Sequence, residues 1–443
     1  MAVDTSVARS RAIKQPVSRL AISSIKLSNL LSFDPETPAL ELRPLNILIG
    51  ANGSGKSNFL DAISLLQAAG QKKLEERIVR QGGGVSNWLW QGADKAAKAT
   101  IDVVLPYAGY LDYGGTSLRY WLCFKEGEKQ ELVVSNERLE NSTVTGGDKA
   151  WRYLNYLDGR AMLNPLFTPP LASEDEEQAE HRRQYQPPAQ TSRQMTEHKR
   201  ASVQESMLAE NWSLHSYPET AYVSNLFRSF RLYRDWSFGR TAPVRNLQPI
   251  GLQANETLLD EDSSNLAAVI NNLSGDRSFR KRLLKYLKEF MAGASDVTAK
   301  PIGGQFLQLL LKEGDYSIPA NRLSDGTLRW LSLLVILLHQ PTMSVPPALI
   351  CLDEPETGLH PDLIPALAEL LKEAVQHVQI IVTTHSRQLV DKFTDSPEDV
   401  VVCEREEGYT TMRRLQATEL TGWLDDYSLG QAWTRNAFGG NRF

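Results

Sequence analysis

Leu45-Asn46-Ile47-Leu48-Ile49, followed by Gly50-Ala51-Asn52-Gly53-Ser54-Gly55-Lys56-Ser57, decides the fold of this chain. The first five residues are a nearly continuous apolar run of strand length, the kind of strand that lies inside a sheet covered on both faces. The next eight fit the pattern G-x-x-x-x-G-K-[ST] without deviation. Residues 58 to about 78 then place Phe59, Ile63, Leu66 and Ala69 on one helical face. Glycines let the backbone curl until successive N–H groups point inward, and a helix N-terminus adds partial positive charge. A loop so built between strand and helix holds phosphate. Gly50 to Ser57, with Asn58 behind them, are the candidate nucleotide-binding residues. Lys56 is expected to reach the β- and γ-phosphates, and the Ser57 hydroxyl to ligate Mg2+.

A second cluster lies far down the chain. Ala348-Leu349-Ile350-Cys351-Leu352 is another buried-strand run, and it ends in Asp353-Glu354-Pro355-Glu356. Such a strand delivers side chains at its carboxyl end, where ligands of open α/β sheets bind. Asp353 is expected to hold Mg2+, and Glu354 to act as the base that polarises an attacking water. About 30 residues upstream, Leu323-Ser324-Asp325-Gly326-Thr327 opens an apolar helix from Leu328 to His339. Hydroxyl, backbone N–H and dipole together make Ser324 and Gly326 a candidate anion site. Downstream, a strand from Val378 to Thr383 runs into Thr384-His385-Ser386, so His385 can approach a γ-phosphate; His360, in Gly358-Leu359-His360-Pro361, reads as a turn residue.

The rest of the composition excludes several classes. The chain has 443 residues, 48 Lys+Arg against 53 Asp+Glu, 42% hydrophobic and 23% charged residues. Wholesale disorder, collagen-like repetition and a disulfide scaffold do not fit these values. A net charge of -5 repels nucleic acid in bulk, so any such binding needs a local patch. Cys123, Cys351 and Cys403 are scattered and never paired as Cys-x-x-Cys, the usage of a reducing cytoplasm with no zinc site by spacing. The apolar run from Leu331 to Leu338 falls short of the roughly 20 residues of a membrane span.

Along the chain we expect a flexible arm over residues 1–19, an N-terminal lobe with the phosphate loop and a β-meander over 20–165, and a disordered insertion over 166–203. A helical subdomain over 204–300 and a C-terminal lobe over 301–443 follow. Strands are expected near 20–27, 101–105, 117–124 and 131–134, and an amphipathic helix from Phe279 to Met291. Arg228, Arg231, Arg234 and Arg240 interleave with Phe227, Phe230, Tyr233 and Trp236. Such a run suits a nucleic-acid backbone, but a half-buried element with a basic edge is the plainer reading. The basic helix face at Arg280, Lys281, Arg282, Lys285 and Lys288 reads as ordinary solvated surface.

Taken in order, the Walker A loop, Leu-Ser-Asp-Gly-Thr, Asp-Glu-Pro-Glu, Gly-Leu-His-Pro and Thr-Thr-His-Ser resemble the ABC ATPase superfamily. The likeness is to its RecF/SMC-like branch, whose compact prokaryotic ATPases also resemble Leu27-Ser28-Asn29-Leu30-Leu31-Ser32-Phe33 and the tail Gly439-Gly440-Asn441-Arg442. The resemblance implies an α/β ATPase head with a mostly parallel core sheet, an antiparallel β subdomain and a helical subdomain. It implies ATP and Mg2+ as cofactors, and a homodimer or larger even-numbered assembly in which Ser324 and Gly326 grip the γ-phosphate of the other copy. Lys56, Glu354 and His385 carry over as catalytic, with Ser57 and Asp353 on the metal. Further partners implied are DNA or RNA and a separate effector such as a nuclease, with a switch role in DNA repair or antiphage defence and no membrane. A transporter-type ATPase subunit and an ATP-binding scaffold without turnover are the rival readings. The usual Q-loop glutamine falls on Gln91 or Gln204. The absence of long heptads between the halves implies a head without arms.

Overall fold

Every core strand that the sequence marks as buried is apolar on both faces, so it needs partners above and below. A computed structural model shows how this is met. It describes residues 20–92, 94, 97–107, 117–142, 150–165, 195–198, 202–210, 212–214, 216–234, 236–250, 258–291, 293–340, 343 and 346–440. The expected arm over 1–19 lies outside the described residues, as does nearly all of the insertion over 166–203.

The strands are β1 (Ser24–Ser28), β2 (Leu40–Glu41), β3 (Leu45–Ile49), β4 (Ala99–Leu105), β5 (Leu118–Glu126), β6 (Leu132–Asn141), β7 (Arg152–Leu157), β8 (Arg160–Leu163) and β9 (Thr196–His198). They continue with β10 (Arg231–Tyr233), β11 (Gln248–Pro249), β12 (Ala294–Ile302), β13 (Phe306–Glu313), β14 (Tyr316–Pro319), β15 (Leu349–Asp353), β16 (Gln379–Thr384), β17 (Val400–Glu406) and β18 (Tyr409–Arg414). The main helices are α1 (Lys56–Gln71), α2 (Pro218–Arg228), α3 (Leu266–Leu273), α4 (Arg277–Phe290), α5 (Asp325–Leu338) and α6 (Ile364–Ala374).

The core sheet runs β10-β15-β16-β3-β17-β18, parallel except for the final β17–β18 hairpin. A wholly antiparallel sheet, β2-β1-β4-β5-β6-β7-β8-β9, forms a second layer, and β11-β13-β12 with β14 on β13 forms a third. Strand alternation in the core sheet divides its side chains between two apolar clusters. Ile47, Ile49, Ile350, Leu352, Ile380 and Val382 face the cluster that contains α5 and α6. Leu48, Leu349, Cys351, Ile381 and Val401 face the other, which α1 and the antiparallel sheet complete. The sheet is therefore covered on both sides, and its residues form an α/β head of the expected class.

Two elements depart from expectation. The helix expected to reach residue 78 stops at Gln71, where Lys72 turns left-handed at φ 61° and donates its N–H to Ala68. A π-helical turn then spans Glu76–Gln81. The break lets Leu74 and Ile78 both bury fully. Glu205, from a distant loop, accepts from the Leu74 and Glu75 N–H groups at 3.1 and 3.4 Å. The stretch 204–300 holds α2, α3 and α4, but Arg231–Tyr233 also supply the edge strand beside β15. Three residues are too few for periodicity to show a strand.

Candidate nucleotide site

The phosphate loop is fixed by contacts that admit no side chain. Gly50 has φ 154°, and a Cβ there would meet the Cys403 carbonyl oxygen at 2.2 Å. Gly55 has φ 98°, and its Cβ would lie 2.1 Å from Thr410 Oγ1. That hydroxyl sits 2.7 Å from Ser32 Oγ and 3.1 Å from the Ser54 carbonyl, and Asn58 Nδ2 donates to Ser32 Oγ at 2.8 Å. The β17–β18 hairpin and the Ser32 loop thus brace the phosphate loop from outside. Lys56 folds back, donating from Nζ to the carbonyls of Gly50 at 2.8 Å and Ala51 at 3.0 Å. Burial lowers its pKa, an effect that nearby Glu354 and Asp353 oppose. Asn52, Gly53 and Ser57 face solvent, as a loop open to a ligand requires.

The carboxyl ends of β15 and β16 bring the second cluster to the same edge. Thr383 Oγ1 donates to Asp353 Oδ1, and the Trp236 indole N–H donates to the Asp353 carbonyl at 2.7 Å. Glu354 takes a left-handed φ of 47°, a strained setting for a non-glycine residue that turns its side chain out of the strand register. Its N–H donates to Thr383 O and Oγ1, both at 3.1 Å. Its Oε1 stands 3.4 Å from His385 Nε2. Burial, then the charge of Lys56, push the His385 pKa below its ordinary value, so the imidazole is neutral at neutral pH. Glu356 accepts from Thr384 Oγ1 at 2.5 Å and from the His385 N–H at 3.2 Å, which fixes the turn carrying that histidine. Its own pKa is raised by burial.

Lys56, Asp353, Glu354 and His385 thus share one electrostatic neighbourhood. Ser324 and Gly326 stand at the start of α5. Ser324 caps α5, accepting from the Thr327 N–H at 3.1 Å. Behind the loop, buried Arg245 donates to the carbonyls of Ala320 at 3.1 Å and Leu323 at 2.7 Å, and to Asp325 Oδ1 at 2.5 Å. The front is open, since Ser324 and Asp325 are exposed. His360 is an exposed turn residue whose Nδ1 accepts from the Asp362 N–H at 3.3 Å.

The donors near the phosphate loop suit magnesium. Ser57 and Asp353 offer hard oxygens, and among the described residues no group of three or more His, Cys, Asp or Glu could hold a metal alone. Magnesium bound through one or two protein oxygens and substrate phosphates needs no more.

Several participants escape motif reading. Arg234, Arg329 and Trp236 all touch the Asp353–Glu354 turn: Arg329 Nη1 donates to the Glu354 carbonyl at 3.3 Å while its guanidinium lies over the Trp236 and Phe238 rings. The arginine–aromatic run containing two of them is not a base-stacking surface. Phe227, Phe230 and Tyr233 are buried. Arg228 Nε donates to Gly70 O at 2.5 Å and Arg231 Nη1 to Phe230 O at 2.7 Å, leaving Arg240 exposed. The basic face of α4 is likewise partly engaged, Arg282 with Glu373 at 2.6 Å and Arg280 with Asp296 at 2.5 Å. Of the two glutamines, Gln91 follows Trp90, whose N–H bonds Asn29 in the segment leading to Ser32. Gln204 precedes Glu205 at the far end of α1, about 24 Å from the phosphate loop for 16 residues at 1.5 Å each.

Comparison with known proteins bears on the family and the fold. A family model described as "AAA domain, putative AbiEii toxin, Type IV TA system" matches residues 45–105 and 198–391, more than half of the chain. The chain belongs to this AAA family. The matched segments contain the phosphate loop, the Leu-Ser-Asp-Gly-Thr turn, Asp353, Glu354 and His385, and membership makes the chain an ABC/AAA-type ATPase domain. An SMC head solved bound to the C-winged helix domain of ScpA superposes with a TM-score of 0.52 at 13% identity, covering 90% of this chain and 99% of that one. The SMC head with an extended coiled coil from Pyrococcus furiosus gives 0.48 at 13% identity over 92% and 99% of the two chains. The ABC transporter A family member 4 of Arabidopsis thaliana is 35% identical over 86 residues, which are 19% of this chain and 8% of the relative. Among the described residues no helix of this AAA-family chain is long and apolar enough to cross a membrane.

Proposed function

We propose that the chain binds and hydrolyses ATP in a nucleotide-gated homodimer. The observation that carries this reading is the meeting of Lys56, Asp353, Glu354 and His385 at one sheet edge, with the exposed Ser324 cap of α5 left to serve a partner copy. In this reading the loop N–H groups from Gly50 to Ser57 hold the phosphates, and Lys56 leaves its loop carbonyls for the γ-phosphate. Ser57 and Asp353 hold Mg2+, which supplies charge neutralisation at the phosphates when bound. Glu354 orients a water in line with the γ-phosphorus and takes its proton, and neutral His385 holds a γ-oxygen. The partner copy closes the site with its signature turn. The role we favour is a switch acting through nucleic acid or a separate effector such as a nuclease. The toxin–antitoxin wording of the family description supports a defence role over a repair one. Steady-state ATPase assays with Glu354→Gln and light scattering with ATP test the reading. We expect loss of turnover and a stabilised dimer; undiminished turnover, or a monomer at every nucleotide concentration, overturns it.

A further inference from the structure

β10 ends at Tyr233, opposite Leu352 of β15, and the next residue, Arg234, reaches Ser57 and Asp353, the two residues read as metal ligands. Its guanidinium makes contacts to three points on two elements. Nη1 donates to Asp61 Oδ1 on α1 at 2.5 Å, Nη2 to the Ser57 carbonyl at 3.4 Å, and Nε stands 3.6 Å from Asp353 Oδ2. The three side chains of Arg234, Asp61 and Asp353 are only 19%, 26% and 21% exposed, so water screens them weakly. Asp353 Oδ1 is committed to Thr383, which leaves Oδ2, the oxygen beside Arg234, for a metal shell. Asp61 is shared with a second arginine, Arg77, at 3.4 Å from Nη2.

We propose that Arg234 is a built-in counter-ion at the metal position, which neutralises Asp353 in the nucleotide-free protein and makes divalent-cation uptake depend on phosphate arriving with it. This rests on reading the site as one for magnesium and ATP. Coulomb's law sets the logic: a fixed positive charge next to Asp353 Oδ2 repels a bare divalent ion, and only the added negative charge of a polyphosphate reverses the balance. Arginine suits the task because its planar fork holds several acceptors at once, so its charge can rest on Asp61 when Asp353 turns to the ion. Burial alone would lower its pKa, but Asp61 and Asp353 raise it on balance, and the charge does not titrate. Arg234 is thus a positioning residue, and its effect appears in metal binding before any chemistry.

The test is Mn2+ binding to the full-length protein, followed by the loss of the free-ion paramagnetic resonance signal, without nucleotide and with a non-hydrolysable ATP analogue. Without nucleotide, Arg234→Gln should bind Mn2+ about tenfold more tightly than the wild type. Arg234→Lys keeps the charge and Arg240→Gln removes one from an exposed site, so both should match the wild type. With the analogue, the gap between Arg234→Gln and wild type should close to within about threefold. Should Arg234→Gln fail to fold, Asp61→Asn reads the same device from its other end. Without its resting place the guanidinium stays on Asp353, and analogue-dependent Mn2+ binding should weaken about fivefold. Nucleotide-free Mn2+ affinity of Arg234→Gln equal to or below the wild type, or an unaffected Asp61→Asn, overturns the proposal. A wild-type protein whose Mn2+ uptake ignores the analogue overturns the magnesium–ATP reading itself.

Discussion

The phosphate loop and the signature turn are both glycine-containing entries to a helix, yet they are held in opposite ways. Gly55 is enclosed by its own chain, with Thr410, Ser32 and Asn58 around it and a left-handed φ of 98°. The Leu-Ser-Asp-Gly-Thr turn is held by Arg245 and lies against the Gly358 carbonyl, 2.8 Å from where a Cβ on Gly326 would stand. Arg245, whose side chain is 6% exposed, anchors Asp325, whose side chain is 67% exposed. The first site is shaped without help; the second is a braced turn that presents the exposed Ser324 and Asp325. Rigidity with exposure is what a surface that docks on another copy needs.

The largest effects should come from the enclosed site. Gly55→Ala forces a Cβ onto Thr410 Oγ1 in a backbone conformation that alanine resists, and should cost about 3 kcal/mol or more in urea unfolding. Gly326→Ala brings a Cβ to 2.8 Å from the Gly358 carbonyl oxygen, which must shift, but has no left-handed φ. It should cost less, about 2 kcal/mol, while weakening nucleotide-dependent dimerisation. If both cost the same, the contrast drawn here is wrong. Lys56→Ala should lower nucleotide affinity about a hundredfold in calorimetry, since it removes a buried cation aimed at phosphate.

Arg245→Ala is the sharper probe of the signature side. It removes the donor to the Leu323 carbonyl and to Asp325 and one of two donors to the Ala320 carbonyl, and should destabilise by about 2 kcal/mol. Nucleotide affinity of the isolated monomer should change less than twofold. Ser324→Ala should cost about 1 kcal/mol through loss of the α5 cap, read in thermal melts, and should impair ATP-induced dimerisation further.

The same contrast explains what could be read from residues alone. β3, α1, β15 and β16 are legible because each is an uninterrupted apolar or periodic run, and the motifs sit at their ends where open α/β sheets bind ligands. β10 was not legible: it is three residues long, buried among aromatics that suggest a stacking surface, and its meaning comes from β15, over 100 residues away. With it went Arg234 and Trp236. Arg329 lies in an apolar helix, where a lone arginine reads as solvated until its stack on Trp236 and Phe238 is visible. Thr383 and Ser32 are common residues whose contacts with Asp353 and Asn58 depend on long-range packing.

The smallest effect concerns Glu356, on the enclosed side. One oxygen accepts from Thr384 and the His385 N–H, while Oε2 is buried with no hydrogen-bond partner among the described residues. Burial raises its folded-state pKa above the ordinary 4.5. The folded state therefore holds its proton over a window in which the unfolded chain has lost it, so this residue makes stability fall as pH rises from about 4.5 toward the raised value. Glu356→Gln keeps an acceptor for Thr384 and His385 and cannot ionise. It should remove that slope and leave the variant about 0.5–1 kcal/mol more stable at pH 7, with the difference vanishing near pH 4. Urea midpoints across this range check it. A Glu356→Gln protein that is less stable than wild type at pH 7 would mean that the ionised carboxylate is itself the preferred partner of the His385 turn, and that the enclosed site draws stability from that charge despite its burial.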